Sequence, residues 1–227
     1  MAVTTIPWND GSGDNIYVSA SSQVGDETVQ VSSDANTGAA RSQTVTFTSG
    51  VGGITRSLTV NQEGVPQEHT VVLYLTSYDT ENKEYYSISG VSNAYSTDLD
   101  STANCTINLT RGSQAETYVY FKFNTSSIPA NATIVSVNCV VSCRVSNTSS
   151  GNVATRQVQM ASGLTLKGDP TNLTTTITKR TLTTGTWTRN ELNDARVRMY
   201  AKRGTSNTTT NYTMQIRCAQ LTVKYTV

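Results

Sequence analysis

The chain has 227 residues, of which 15% are charged, with 17 basic side chains against 16 acidic ones and a net charge of +1. A balance so close to neutral argues against the many phosphate contacts that nucleic-acid binding depends on, so nucleic acid is not an expected partner. No apolar run approaches the roughly 18–20 residues of a membrane-spanning helix, so a membrane is not expected either.

Thr, Ser, Val, Asn and Tyr dominate, while the helix formers Leu, Glu and Lys are sparse. Side chains of this kind suit a pleated, half-buried surface, and the composition predicts β structure. The stretch from Met1 to Asp10 lacks the basic segment and apolar core of a secretory signal. The expectation is a protein made in a cytoplasm that leaves it by assembly or lysis.

Over the first 65 residues, Ile16, Val18 and Ala20 alternate with polar neighbours. So do Val29 with Val31, Val45 with Phe47, and Leu58 with Val60. A period of two puts one face of each strand in a core and the other in water, as in stacked antiparallel sheets. Turn residues separate these strands at Val24-Gly25-Asp26, Asn36-Thr37-Gly38 and Gly50-Val51-Gly52-Gly53. Gly64 and Pro66 then punctuate a polar stretch, Gln62 to Glu68. The expected organisation is a domain over 1–65, a linker over 66–70 and a second domain over 71–227. A unit of roughly 60 residues is marginal by itself, so the first domain is expected to lean on a partner or on a second copy.

The run Arg41-Ser42-Gln43-Thr44-Val45-Thr46-Phe47, a glycine-rich turn, and Leu58-Thr59-Val60-Asn61-Gln62-Glu63-Gly64 resembles the C-terminal half of BACON-type immunoglobulin-like domains. The family's middle strands and their tryptophan are missing after Ser32-Ser33-Asp34, and Trp8 lies upstream. The family is linked to carbohydrate surfaces; a truncated copy points to docking or spacing instead.

The second unit opens at Val71 to Leu75. A strong strand follows at Tyr118 to Phe123, then a turn at Ser127-Ile128-Pro129-Ala130-Asn131-Ala132-Thr133, then a long alternating strand from Ile134 to Val145. One helical signal stands out, in which Thr188 and Glu191 are spaced as a capping box and Trp187 is placed to anchor it. The helix must be short, because Val197, Met199 and Ala201 return to strand alternation. Arg196, Arg198 and Lys202 take the opposite face as a basic stripe, which either meets an acidic partner or guards a solvated edge. In the last strand the pattern Tyr212, Met214, Ile216, Cys218 shifts phase to Ala219, Leu221, Val223, Tyr225, which predicts a β-bulge near Cys218.

The run from Tyr118 to Val137 sets an aromatic strand, an I-P-x-x-A-T-I turn and a long strand in order. It resembles DNRLRE-type and related jelly-roll modules. The tail, from Trp187-Thr188 to Gln220-Leu221-Thr222-Val223-Lys224-Tyr225, is similar to endings found in phage virion proteins. Together the resemblances imply an all-β chain, a small Ig-like β-sandwich followed by a larger antiparallel jelly-roll β-sandwich. They imply a structural bacteriophage protein of the virion, as head fibre, capsid decoration or tail-associated component. Its first domain would attach to the major capsid or another virion protein, its jelly roll would face outward for adhesion, and it would be a homo-oligomer, with a trimer as one form. The alternative is a carbohydrate-binding module of a bacterial surface or secreted protein, extracellular and with glycans as partners.

The residues offer little for catalysis. His69, the one histidine, sits beside the proposed linker without a nucleophile motif. Asp79, Glu81, Glu84, Asp98 and Asp100 have the chemical type of a glycosidase pair but read as solvated loop acids. No catalytic residue, and hence no enzyme, is expected. Asp98-Leu99-Asp100 offers two oxygen ligands for calcium without the spacing or glycine of a dedicated loop, so no cofactor is expected and calcium is the alternative. Tyr78, Tyr85, Tyr86 and Tyr95 form the recognition candidate for a carbohydrate or protein partner, since tyrosine joins an apolar ring to an orienting hydroxyl; the competing reading has them cover a sandwich face. Cys105, Cys139, Cys143 and Cys218 read as small buried hydrophobes, with a disulfide to Cys105 or Cys218 left open. Eight N-x-[ST] sequons, at Asn104, Asn108, Asn124, Asn131, Asn147, Asn172, Asn207 and Asn211, are read as chance in a chain so rich in Asn and Thr.

Overall fold

The computed structural model describes residues 2–20, 29–48, 52–80, 86–109, 116–146, 153–203 and 212–227. The chain divides into two compact units, Met1–Gln67 and Glu68–Val227, and every strand pairing is antiparallel. The turn at Val24-Gly25-Asp26 and the start of the glycine turn at Gly50 lie outside the described residues.

The first unit stacks a three-stranded sheet on a two-stranded one. The strands are β1 (Ala2–Pro7), β2 (Asn15–Ala20), β3 (Gln30–Ser33), β4 (Arg41–Thr48) and β5 (Thr55–Gln62), in the order β1-β2-β3 and β4-β5. Trp8, Ile16, Val18 and Val45 are buried between the sheets, with Ile6, Val31, Phe47 and Val60 packed around them. Leu58 and Val29, expected to face the core, are 43% and 39% exposed. Leu58 pairs directly with buried Val45 and so shares its face, but β5 is an edge strand left uncovered there.

Arg41 closes this small core from one side. Its guanidinium lies 4.4 Å from the centre of the Trp8 ring and bonds Asp14 at 2.8 Å, Asp10 at 3.1 Å, Ser12 Oγ at 3.0 Å and Gln62 Oε1 at 2.9 Å. Gln43 fastens the same corner by accepting from the Asn9 amide at 2.9 Å and donating to the Pro7 carbonyl at 3.0 Å.

The second unit is a jelly roll. Its strands are β6 (Glu68–Thr80), β7 (Tyr86–Ser89), β8 (Cys105–Leu109), β9 (Glu116–Phe123), β10 (Thr133–Val145), β11 (Val153–Ser162), β12 (Thr165–Asn172), β13 (Thr178–Leu182), β14 (Ala195–Arg203) and β15 (Tyr212–Thr226). From β8 to β15 they form two four-stranded orders, β8-β15-β10-β13 and β9-β14-β11-β12, the two-sheet pattern of interleaved Greek keys. Strand β6 serves both sheets: Glu68–Tyr74 pair with β15 and Leu75–Thr80 pair with β9, with a bulge between Leu75 and Ser77. Residues 68–70, expected in a linker, therefore belong to β6, and His69 stacks on Tyr225 across the ladder at 5.3 Å.

Between the sheets lie Leu75, Val119, Phe121, Val141, Met160, Val197, Met199, Leu221 and Val223, each at most 1% exposed. The predicted bulge is present: the register steps past Arg217, so that Cys218 and Ala219 are both buried while the strand stays core-facing on either side. All four cysteines are free and buried. Burial pushes the Cys105 and Cys143 thiols up to about 12 and Cys218 to about 11. Because thiolate is the reactive form, a neutral alkylating reagent at pH 7 is expected to label the folded protein roughly a hundredfold or more slower than the denatured chain. Rapid labelling of the native protein, followed by mass spectrometry, would contradict this packing.

The helix α1 spans Arg189–Leu192 and begins at the expected capping box, with Glu191 N donating to Thr188 Oγ1 at 3.2 Å and Thr188 N to Glu191 Oε2 at 2.8 Å. Trp187 is buried and donates to the Thr184 carbonyl at 2.7 Å, which ties the helix start to the core. Arg189 reaches from α1 to the carbonyls of Ile128 at 2.6 Å and Pro129 at 2.9 Å, so helix and Ile-Pro turn brace each other. Thr188→Ala is expected to cost about 1 kcal/mol, read as a drop of roughly 2–4 °C in the melting temperature of the jelly roll.

Candidate functional site

The tyrosines singled out in the sequence fall in different environments. Tyr86 is a core side chain at 7% exposure, and Tyr95, on the 3-10 helix Val91–Tyr95, packs half-buried against the same core. Tyr78 is 37% exposed and leans on Phe121, ring centres 6.3 Å apart. Tyr85 lies outside the described residues, as do Glu81 and Glu84. Asp98 folds its own turn, accepting from the Asp100 amide at 2.8 Å, while Asp100 pairs with Lys179 at 2.6 Å. No third metal-ligating side chain joins them among the described residues. Asp79 pairs with Lys122 at 3.2 Å and Arg196 at 3.4 Å.

The richest cluster of recognition chemistry lies on the outer face of β9 and β14. Alternation sends Val119, Phe121, Val197 and Met199 inward, which turns Glu116, Tyr118, Tyr120 and Lys122 of β9 outward beside Arg196, Arg198, Tyr200 and Lys202 of β14. Tyr118 stands directly opposite Tyr200, and Tyr120 opposite Arg198. The Tyr118 and Tyr200 rings stack with centres 5.0 Å apart, and the Arg198 guanidinium sits 4.6 and 4.4 Å from them. Arg196 lies 5.6 Å from the Tyr120 ring. Each such cation–aromatic contact contributes about 0.5–2 kcal/mol, so the face is preorganised by its own side chains.

Charge on this face is mostly balanced. Lys202 pairs with Glu116 at 2.6 Å, and Arg196 with Asp194 at 2.8 Å. The Tyr118 hydroxyl donates to Glu116. Lys202 and then Tyr118 hold the Glu116 carboxyl below the usual carboxylate range, and burial, helped by Glu116, pushes the Tyr118 hydroxyl up to about 12. Burial likewise raises Tyr200, and Glu116 raises Lys202. Over neutral pH Glu116 therefore stays a carboxylate, Tyr118 and Tyr200 stay neutral phenols and Lys202 stays a cation.

The basic stripe of Arg196, Arg198 and Lys202 was legible from alternation, but both arginines are under 10% exposed, not solvated. The stripe's aromatic partners were missed, because Tyr118 and Tyr120 read only as strand formers; what could have found them is that they alternate on β9 as the arginines do on β14. Set against known protein families and against curated proteins, the chain matches none.

Proposed function

We propose that the chain is a non-enzymatic binding and assembly protein, a structural component on the outside of a bacteriophage particle, serving as head fibre, capsid decoration or tail-associated protein. The observation that carries the binding role is the outer face of β9 and β14. It is a preorganised set of rings and guanidinium groups on interior strands of the sandwich, suited to holding a partner by side chains. The virion setting is supported by the resemblance of the tail, from Trp187-Thr188 to the closing strand, to endings found in phage virion proteins. Docking through the first unit is supported by the exposed apolar side chains Ile54 and Leu58 at the edge strand β5. Peptide mass spectrometry and electron microscopy of purified particles test this role. The chain is expected at stoichiometric copy number on the particle surface, and its absence from particles overturns the reading.

A second reading, a carbohydrate-binding module, is favoured by the paired Tyr118 and Tyr200 rings, since aromatic faces stack on sugars. Glycan-array binding lost in Tyr118→Ala supports it. No glycan signal from the full chain counts against it.

A further inference from the structure

Of the four described cations on the β9–β14 face, Lys122, Arg196 and Lys202 each hold a carboxylate. Arg198 does not. It is 9% exposed and clamped against two rings, its Nε is enclosed without an acceptor, and no described residue gives it a hydrogen bond or an ion pair. An arginine held out of water without a counter-charge is unfavourable, and an apolar side chain of similar length would fill the same space at lower cost. The contacts with the rings offset only part of that cost. What the arrangement does provide is a planar, fixed guanidinium whose fork matches a carboxylate, framed by aromatic surface.

The surroundings restrict what brings the acid. Strands β9 and β14 are interior strands, flanked by β6 and β11, so their backbone groups are already used in the ladder. An extended peptide has no edge to add to here. A ligand must be held by side chains alone, against rings bordered by the Glu116 carboxylate, which already accepts one hydroxyl, that of Tyr118, as well as Lys202. A ring-shaped, hydroxyl-rich molecule bearing one carboxylate meets all three conditions. We propose that Arg198, Tyr118 and Tyr200 form a site for an acidic sugar of the uronic or sialic class, the carboxylate on Arg198 and the sugar ring against the tyrosines. The proposal rests on the carbohydrate-binding reading and is independent of where the protein is attached.

The test is calorimetric titration of the full chain with an oligogalacturonate and with sialyllactose. Lactose serves as the neutral control and a hexaglutamate peptide as the non-sugar acid. One of the acidic sugars is expected to bind at least tenfold tighter than lactose and than the peptide. Arg198→Met is expected to lose that preference by at least tenfold and Arg198→Lys by several-fold, while Lys179→Met, in a distant ion pair, changes nothing. Thermal melts establish that each variant is folded, and the wild-type preference alone decides the matter if Arg198→Met is not. Binding of lactose equal to that of the acidic sugars overturns the acidic site and leaves the carbohydrate reading standing. No binding of any sugar overturns both. Tighter binding of the peptide shows that the counter-charge comes from protein, and unchanged affinity in a folded Arg198→Met places the acid elsewhere; either result overturns the proposal.

Discussion

Replacing Arg41 with methionine is expected to abolish the folding transition of residues 1–67 while leaving that of the jelly roll unchanged. The first unit is small, with four buried apolar side chains at its centre, so it has little hydrophobic burial in reserve. Arg41 gathers the loop after β1, the start of β4 and the end of β5 through Asp10, Ser12, Asp14 and Gln62, and also donates to the Asp34 carbonyl at 3.3 Å. Methionine would keep some contact with Trp8 but leave two carboxylates side by side and Gln62 Oε1 without its arginine donor. The Arg41 side chain is 5% exposed, and removing a buried partner from an ion pair is among the more destabilising single changes in a unit with so small a core. Scanning calorimetry should show the transition of the first unit lost and the jelly-roll transition within a degree or two of wild type. A surviving transition would mean that the corner holds without its arginine.

The same corner gives the first unit an acid limit. Asp10 is held down to about 2, first by the Ser12 hydroxyl and amide and then by Arg41. A carboxyl whose pKa is lower in the folded chain than in the unfolded one stabilises fully above the unfolded value, near 3.8. That contribution is lost as pH falls through about 2. The melting temperature of this unit should therefore fall between pH 4 and pH 2. Asp10→Asn should flatten that part of the curve.

Gly168→Ala is expected to destabilise the jelly roll by about 3 kcal/mol or more, the cost of a non-glycine residue held at positive φ plus a clash. Gly168 has φ of +66°, and a Cβ there would stand 1.9 Å from the Thr183 carbonyl oxygen, which is backbone and has no rotamer to yield. The position is fixed from the other side too, since Gln159 donates to the Gly168 carbonyl at 2.6 Å across the bulge in β12. For a unit of this size the melting temperature should drop by roughly 6–12 °C. Gly163 makes the contrast: its φ is +58°, but the nearest obstacle to a Cβ is the end of a side chain, the Asp194 carboxylate at 3.1 Å, and not backbone. Gly163→Ala should cost clearly less, and equal losses at the two sites would show that φ alone, not the clash at Thr183, sets the cost.

Much of the architecture could be read from local pattern because each cue acts over a few residues. Alternation in Ile134–Val145 marks one buried face, Thr188 with Glu191 marks a helix start, and the phase change at Cys218 marks a bulge; all three are present in the fold. Leu58 misled because alternation reports which side of a strand a residue is on, not whether another sheet covers that side. The tyrosines of 78–95 misled for a related reason: an aromatic-rich stretch says nothing of which rings are used up in the core, as Tyr86 is.

By itself the sequence determined the β character, the capped helix and the outward direction of Arg196, Arg198 and Lys202. These follow from periods of two, turn residues and short-range hydrogen bonding. Only the tertiary structure decided that β9 lies beside β14, some 80 residues further along the chain. That pairing sets Tyr118 opposite Tyr200 and brings Glu116 to Lys202, yet leaves Arg198 without a counter-charge among the described residues. No local pattern carries such information, because which cation on a face goes unpaired depends on strand order, and strand order is settled by packing the two sheets around one core.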